Sequence, residues 1–198
     1  MSKTTPPPSA TPAPELPRLI VLSGPSGVGK TTVGQGLVRN PSIRRAVTAT
    51  TRAPRAGEVD GRDYLFLGRA AFEADIAAGR FLEHADVHGN LYGTPRNQVD
   101  AITAAGQNCL LIIDVQGAAT LREQGIDALY VFLAPPSWEV LEARLRGRGT
   151  DDPEVVARRL RNAQAELGRQ NEYDTVVIND DLDTAIAQIE GLAGGPGL

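Results

Sequence analysis

Eight consecutive residues, Gly24-Pro25-Ser26-Gly27-Val28-Gly29-Lys30-Thr31, have the types and spacing that hold a polyphosphate. The glycines let backbone N–H groups turn toward one point, and a helix opening there adds positive potential. Lys30 is expected to reach the β- and γ-phosphates of a nucleoside triphosphate, and the Thr31 hydroxyl to hold Mg²⁺. A chance glycine-rich turn is the bland alternative. The full G-x-x-x-x-G-K-[ST] pattern, set between an apolar run and a helix, leaves it little weight. The loop alone does not separate a kinase from a GTPase or an ATPase motor.

Two arginine groups could take further phosphates. In Thr48-Ala49-Thr50-Thr51-Arg52-Ala53-Pro54-Arg55-Ala56-Gly57-Glu58, Arg52 and Arg55 lie three apart with Pro54 between them, a stiffened fork for a second anion. Farther on, Arg144 and Arg148 lie four apart at a helix end and share a face, and Arg158 and Arg159 follow on the next helix. The link Gly147 to Pro153 between those helices has the composition of a hinge, as a closing lid requires. Arginines on a solvated helix surface are the alternative, and that description suits Arg146 and Arg161.

These groups need a scaffold, and strand and helix signals alternate along the chain. Continuous apolar runs at Arg18 to Leu22, Cys109 to Ile113, Ala128 to Leu133 and Thr175 to Ile178 read as buried strands. A helix is expected from near Gly29 to Asn40-Pro41, another around Ala70 to Ala78, and one opening at Pro95. Ser137 is an N-cap for a helix through Arg146. Asp152-Pro153 starts one reaching about Leu167, and residues 182 to 192 form the last. Strands are also expected at Tyr64 to Leu67 and Phe81 to Val87. Continuous apolar strands separated by helices make an α/β protein with a mainly parallel sheet covered on both faces. The more polar stretch 44–94 reads as an inserted α+β substrate-binding lobe. His84 is expected to pack beside its strand.

Composition narrows the function further. With 41% hydrophobic and 22% charged residues the chain reads as an ordinary globular protein, and 198 residues suffice for one substantial core. A net charge of -4 argues against nucleic-acid binding and requires any polyanion site to gather its arginines locally. The lone Cys109 lies in an apolar run, as a packing residue does. No apolar stretch approaches a membrane span, and the first residues have no signal-peptide core, so a cytoplasmic protein is expected. Residues 1–17 hold six of the 14 prolines and read as a disordered leader; residues 193–198 read as a frayed end.

The Thr48 to Glu58 segment, with Tyr64 after it, resembles the hallmark of guanylate kinases, S-x-T-T-R-x-P-R-x-G-E followed by a tyrosine. The resemblance continues in Phe81-Leu82-Glu83, Gly89-Asn90-Leu91-Tyr92-Gly93-Thr94 and Asp114-Val115-Gln116-Gly117. It extends through Ala134-Pro135-Pro136-Ser137, Arg144 to Gly149 and Asn179-Asp180-Asp181, and spans residues 18–192. It implies a P-loop NTPase fold with a GMP-binding lobe at about 44–94 and a helical lid at about 144–160. It implies transfer of the γ-phosphoryl of ATP to GMP, and to dGMP as well, since no ribose 2′-hydroxyl contact is legible.

By the same resemblance, ATP is held by Gly24 through Thr31 together with Thr32, Arg148 and Asn179, the last two at adenine. Arg52, Arg55, Tyr64 and Tyr92 hold the GMP phosphate. Glu83 accepts from guanine N1 and the exocyclic amine, Asp114 lies near that amine, and Thr48 and Thr94 face O6. A carboxylate beside hydroxyls suits guanine's two adjacent donors and one acceptor, and would leave adenine poorly paired. Lys30, Arg52, Arg144 and Arg159 carry the catalytic charge, with Mg²⁺ on Thr31. Asp114 could instead act on Mg²⁺ through water. The transfer is expected in line, without a covalent intermediate and without His84 or His88 as base. Two departures from the family pattern stand out: Thr48 replaces a serine, and Ile112 stands where many members have an acid. Three rival readings are a phosphopeptide-binding module without catalysis, a P-loop kinase for a sugar phosphate, and a regulatory NTPase. The intact loop argues against the first, Glu83 with Thr48 against the second, and the lack of a partner-binding insertion against the third.

Overall fold

The computed structural model describes residues 18–87, 89–147 and 153–194. The apolar runs form a parallel sheet. Its strands are β1 (Leu19–Ser23), β2 (Ile43–Arg45), β7 (Asn108–Ile112), β8 (Leu129–Ala134) and β9 (Thr175–Ile178), in the order β2-β7-β1-β8-β9. Register pairs Val21 with Leu111 on one side and with Tyr130 on the other, all parallel. Every residue of β8 is buried, as a strand covered on both faces requires.

Helices α1 (Lys30–Leu37), α3 (Arg96–Ala104), α4 (Val115–Glu123), α5 (Trp138–Arg146), α6 (Pro153–Leu167) and α7 (Leu182–Ala193) accompany this sheet. One apolar cluster gathers Ile20, Leu22, Leu110, Val131 and Leu133 with residues of α1, α5 and α7. A second gathers Val21, Cys109, Leu111 and Tyr130 with Ile102 of α3 and Leu121 of α4. Cys109 is fully buried, and burial pushes its thiol up to about 12, so it packs rather than reacts.

A second sheet has the order β4-β3-β6-β5, made of β3 (Ala49–Thr50), β4 (Leu65–Phe66), β5 (Phe81–Val87) and β6 (Asn90–Pro95). The β5–β6 and β3–β6 pairs are antiparallel. Helix α2 (Arg69–Ala77) puts Phe72 against this sheet, where it stacks on Phe81 with ring centroids 4.4 Å apart, alongside Ala49 and Leu91. This sheet thus has its own small apolar centre.

Several elements differ from the sequence-based expectation. Residue 44 lies in β2, inside the parallel sheet, with Ile43 opposite Asn108. Helix α4 was not expected, nor were the short β3 and the hairpin strand β6. The strand expected at Tyr64 to Leu67 contracts to Leu65–Phe66. His84 is exposed rather than packed, because the β5 pleat turns it to the face opposite Glu83. Among the described residues, no helix is long and apolar enough to cross a membrane.

Candidate active site

The C-terminal ends of the parallel strands converge on one region, where open α/β sheets bind ligands. Strand β1 runs straight into the glycine-rich loop. Gly24 has φ 142°, and a Cβ there would lie 2.2 Å from the Leu133 carbonyl oxygen, so the loop crosses β8 at a distance only glycine permits. Gly29 has φ 103°, and a Cβ there would lie 2.5 Å from Asn179 Nδ2. That amide, at the end of β9, donates to the Val28 carbonyl at 2.7 Å. Arg144, from α5, donates weakly to the Val28 and Asn179 carbonyls, both at 3.4 Å. The start of α1 is therefore tied to the ends of β9 and α5.

One cavity of about 650 Å³ opens on this region and extends to the second sheet. Its loop side is formed by Gly24, Ser26, Gly27, Gly29, Lys30, Thr31 and Thr32. Arg144, Arg159 and Asn179 close the side of α5, α6 and β9. Thr48, Arg55, Tyr64, Glu83, Tyr92 and Asp114 form the opposite side. Among the expected residues, Pro25 and Val28 are buried within the loop, and Arg52 and Thr94 do not line the cavity but bond to Tyr92 and Glu83, which do. Arg148 lies outside the described residues, as does most of the expected hinge.

Lys30 Nζ donates to the Gly24 and Pro25 carbonyls at 2.6 and 3.0 Å. Glu166 of α6 accepts from the Ser26 N–H at 3.1 Å, so a carboxylate takes a loop amide of the kind that a phosphate would take. Arg52 forms a two-pronged ion pair with Glu58 at 2.8 and 2.9 Å, and its Nε donates to the Tyr92 hydroxyl at 3.2 Å. Burial alone would lower the guanidinium's pKa, but the hydrogen bonds to Glu58 and Tyr92 outweigh it and raise it. Glu58 also accepts from the Arg55 N–H at 2.7 Å, which folds the arginine loop around one carboxylate. Tyr64 and Tyr92 meet edge to face, 6.1 Å between centroids.

Glu83 is 4% exposed, and its Oε1 accepts from the Thr94 hydroxyl at 2.6 Å. Burial pushes its carboxyl up to about 7; the Thr94 hydrogen bond opposes that shift, and the nearby Asp114 charge adds to it. Asp114 caps α4, its Oδ1 accepting from the Gly117 N–H at 2.8 Å. Its Oδ2 is buried and has no hydrogen-bond partner among the described residues. Two acids and two hydroxyls thus lie on, or next to, the side of the cavity that also carries Arg55, with Arg144, Arg159 and the glycine-rich loop on the other sides.

A family model described as guanylate kinase matches residues 16–193. The chain belongs to the guanylate kinase family. It is 52% identical over 178 residues to a guanylate kinase of Nocardia farcinica, covering 88% of this chain and 92% of that one. It is 51% identical over 177 residues to one of Parasynechococcus marenigrum, covering 89% and 97%. A crystal structure of guanylate kinase from Anaplasma phagocytophilum superposes with a TM-score of 0.75 at 34% identity, covering 90% of this chain and 85% of that one. A shikimate kinase structure from Bacteroides thetaiotaomicron, 17% identical with a TM-score of 0.51, shares the fold alone.

Within this guanylate kinase fold, two carboxylates had no role in the sequence reading. Glu58 stood inside the quoted motif, and its place six residues after Arg52 in one loop was the available signal. Glu166 had none, because its partner Ser26 is 140 residues away.

Proposed function

We propose that this chain transfers the γ-phosphoryl group of ATP to GMP, and to dGMP, giving ADP and the corresponding nucleoside diphosphate. The observation that carries the reading is Glu83: a buried carboxylate braced by Thr94, on the same cavity as an intact phosphate loop. Guanine offers N1–H and an exocyclic amine on one edge, and ionised Glu83 accepts from both. Asp114 Oδ2 takes the remaining amine hydrogen, and Thr48 lies on the O6 side.

Arg55, Tyr64 and Tyr92 hold the GMP phosphate, with Arg52 orienting Tyr92 and itself held by Glu58. Lys30 leaves the loop carbonyls for the β- and γ-phosphates, and the loop N–H groups, Ser26 included, surround them. An oxygen of the GMP phosphate attacks the γ-phosphorus as the bond to the β,γ-bridging oxygen breaks, and ADP departs. That oxygen is already an anion near neutral pH, so no base is required. Arg144 and Arg159 supply charge where it develops. Asn179 lies on the adenine side. The second sheet acts as the acceptor lobe, and α5 with α6 acts as the lid.

Mg²⁺ fits this set through Thr31, a cavity-lining residue in the first turn of α1 whose hydroxyl would hold it. When bound with ATP it neutralises charge on the β- and γ-oxygens. Ile112, also on the wall, offers no oxygen for it. The proposal keeps the cytoplasmic location expected from the sequence. The test is a coupled assay of ADP release with ATP against GMP, dGMP, AMP, UMP and a sugar phosphate. GMP and dGMP should be phosphorylated and the others not; absence of turnover with GMP overturns the reading.

A further inference from the structure

We infer that Gly117 is a positioning residue for guanine recognition, its N–H fixing Asp114 and its missing side chain making the room that Glu83 occupies. The inference rests on the reading of the cavity as a GMP site and names a residue that sets its base specificity.

A glycine in the first turn of a helix costs about 1 kcal/mol relative to alanine, so a buried one calls for a physical reason. Gly117 is the third residue of α4 and is buried. Its N–H donates to Asp114 Oδ1 at 2.8 Å, the ordinary N-cap bond, and this leaves Oδ2 as an acceptor without a partner among the described residues. On the other side, a Cβ on Gly117 would lie 2.6 Å from Glu83 Oε2 and 3.2 Å from Glu83 Cδ. Glu83 comes from β5, in the second sheet, and Thr94 on β6 holds its other oxygen at 2.6 Å. The carboxylate therefore sits between a hydroxyl on one element and the bare backbone of another.

The alanine variant separates the two functions of Gly117. It keeps the N–H, so the Asp114 cap survives, and it adds helix propensity. It intrudes only on the end of a side chain, not on backbone, so the fold should hold while the Glu83 carboxylate is displaced. A displacement of this size misaligns charged hydrogen bonds to the base and leaves the ATP side untouched.

The experiment is steady-state kinetics of wild type, Gly117→Ala, Glu83→Ala and the double variant, with GMP and with inosine monophosphate, which lacks the exocyclic amine. Gly191→Ala, in α7 where an added Cβ meets nothing within 4 Å, is the control and should match wild type. Gly117→Ala should raise KM for GMP by about tenfold or more, leave KM for ATP within about twofold, and shrink the preference for GMP over inosine monophosphate. In the Glu83→Ala background the same substitution should add almost nothing, because there is no carboxylate left to displace. Thermal unfolding accompanies each variant: instability of Gly117→Ala that Glu83→Ala relieves supports the inference, and instability that it does not relieve overturns it. A Gly117→Ala enzyme with wild-type KM and preference, or an equal effect in both backgrounds, also overturns it. Those outcomes leave GMP turnover by wild type intact, whereas its absence would remove the reading beneath.

Discussion

At Glu83 the cost of burying a carboxyl and the need for its charge meet in one side chain. Its carboxyl is pushed up to about 7, mainly by burial. Guanine's donors require the ionised form, so acidification below that value removes the acceptor. We expect kcat/KM for GMP to climb between about pH 6 and about pH 8, and the Glu83 step to vanish in Glu83→Gln together with the preference for GMP. An unchanged preference in that variant would count against guanine recognition by Glu83. Stability responds in the opposite direction. The folded pKa exceeds the unfolded one near 4.5, so the folded protein binds more protons between about 4.5 and about 7 and loses stability as pH rises through that window. Glu83→Gln should flatten that part of a stability-against-pH curve measured by urea denaturation. Lys30 carries a different expectation. Its Nζ donates to the Gly24 and Pro25 carbonyls and lies outside the apolar clusters, so Lys30→Ala should abolish turnover while the protein still unfolds in one cooperative urea transition.

Among the elements, legibility followed length and chemistry. Strands β1, β7, β8 and β9 were visible within a residue or so because each is a continuous apolar run, and α5 because Ser137 caps it and accepts from the Val140 N–H. Strands β2 and β3 have three and two residues, too few to show a period. Helix α4 carried its signals, an aspartate cap and the buried Val115, Ala118 and Leu121 at helical spacing, but Gly117 in its first turn masks them. The loop was legible from Gly24 to Thr31 as chemistry, whereas the tie from Asn179 to Val28 joins residues 151 apart and leaves no local pattern. That tie yields its own expectation. Asn179→Ala removes a buried donor from the Val28 carbonyl, so stability should fall by about 1–3 kcal/mol and KM for ATP should rise. Unchanged denaturant midpoint and KM would show that β9 does not brace the loop.

At the scale of the whole molecule, each sheet has an apolar centre, one large and one small, Leu82 of β5 links the second sheet to Val21 and Leu111 of the first, and residues of both sheets line the cavity. Leu110, Leu133 and their neighbours build the large one; Phe72, Phe81, Ala49 and Leu91 build the small one. Such a small centre has few residues to share a loss, and Phe72 is its fully buried ring. Truncating a buried phenylalanine costs about 3–5 kcal/mol, a large fraction of what a few side chains can hold together. In Phe72→Ala the β4-β3-β6-β5 sheet should therefore open locally while the parallel sheet stays folded. Hydrogen exchange followed by mass spectrometry reads this directly: peptides from 81–87 and 90–95 should lose protection, and those from 108–112 and 129–134 should keep it. Because Glu83, Thr94 and Tyr92 ride on the weakened sheet and Lys30 does not, KM for GMP should rise much more than KM for ATP. Loss of protection spread evenly over both sheets would mean that the molecule opens as a single unit, and that the acceptor side has no independent mobility with which to close on its substrate.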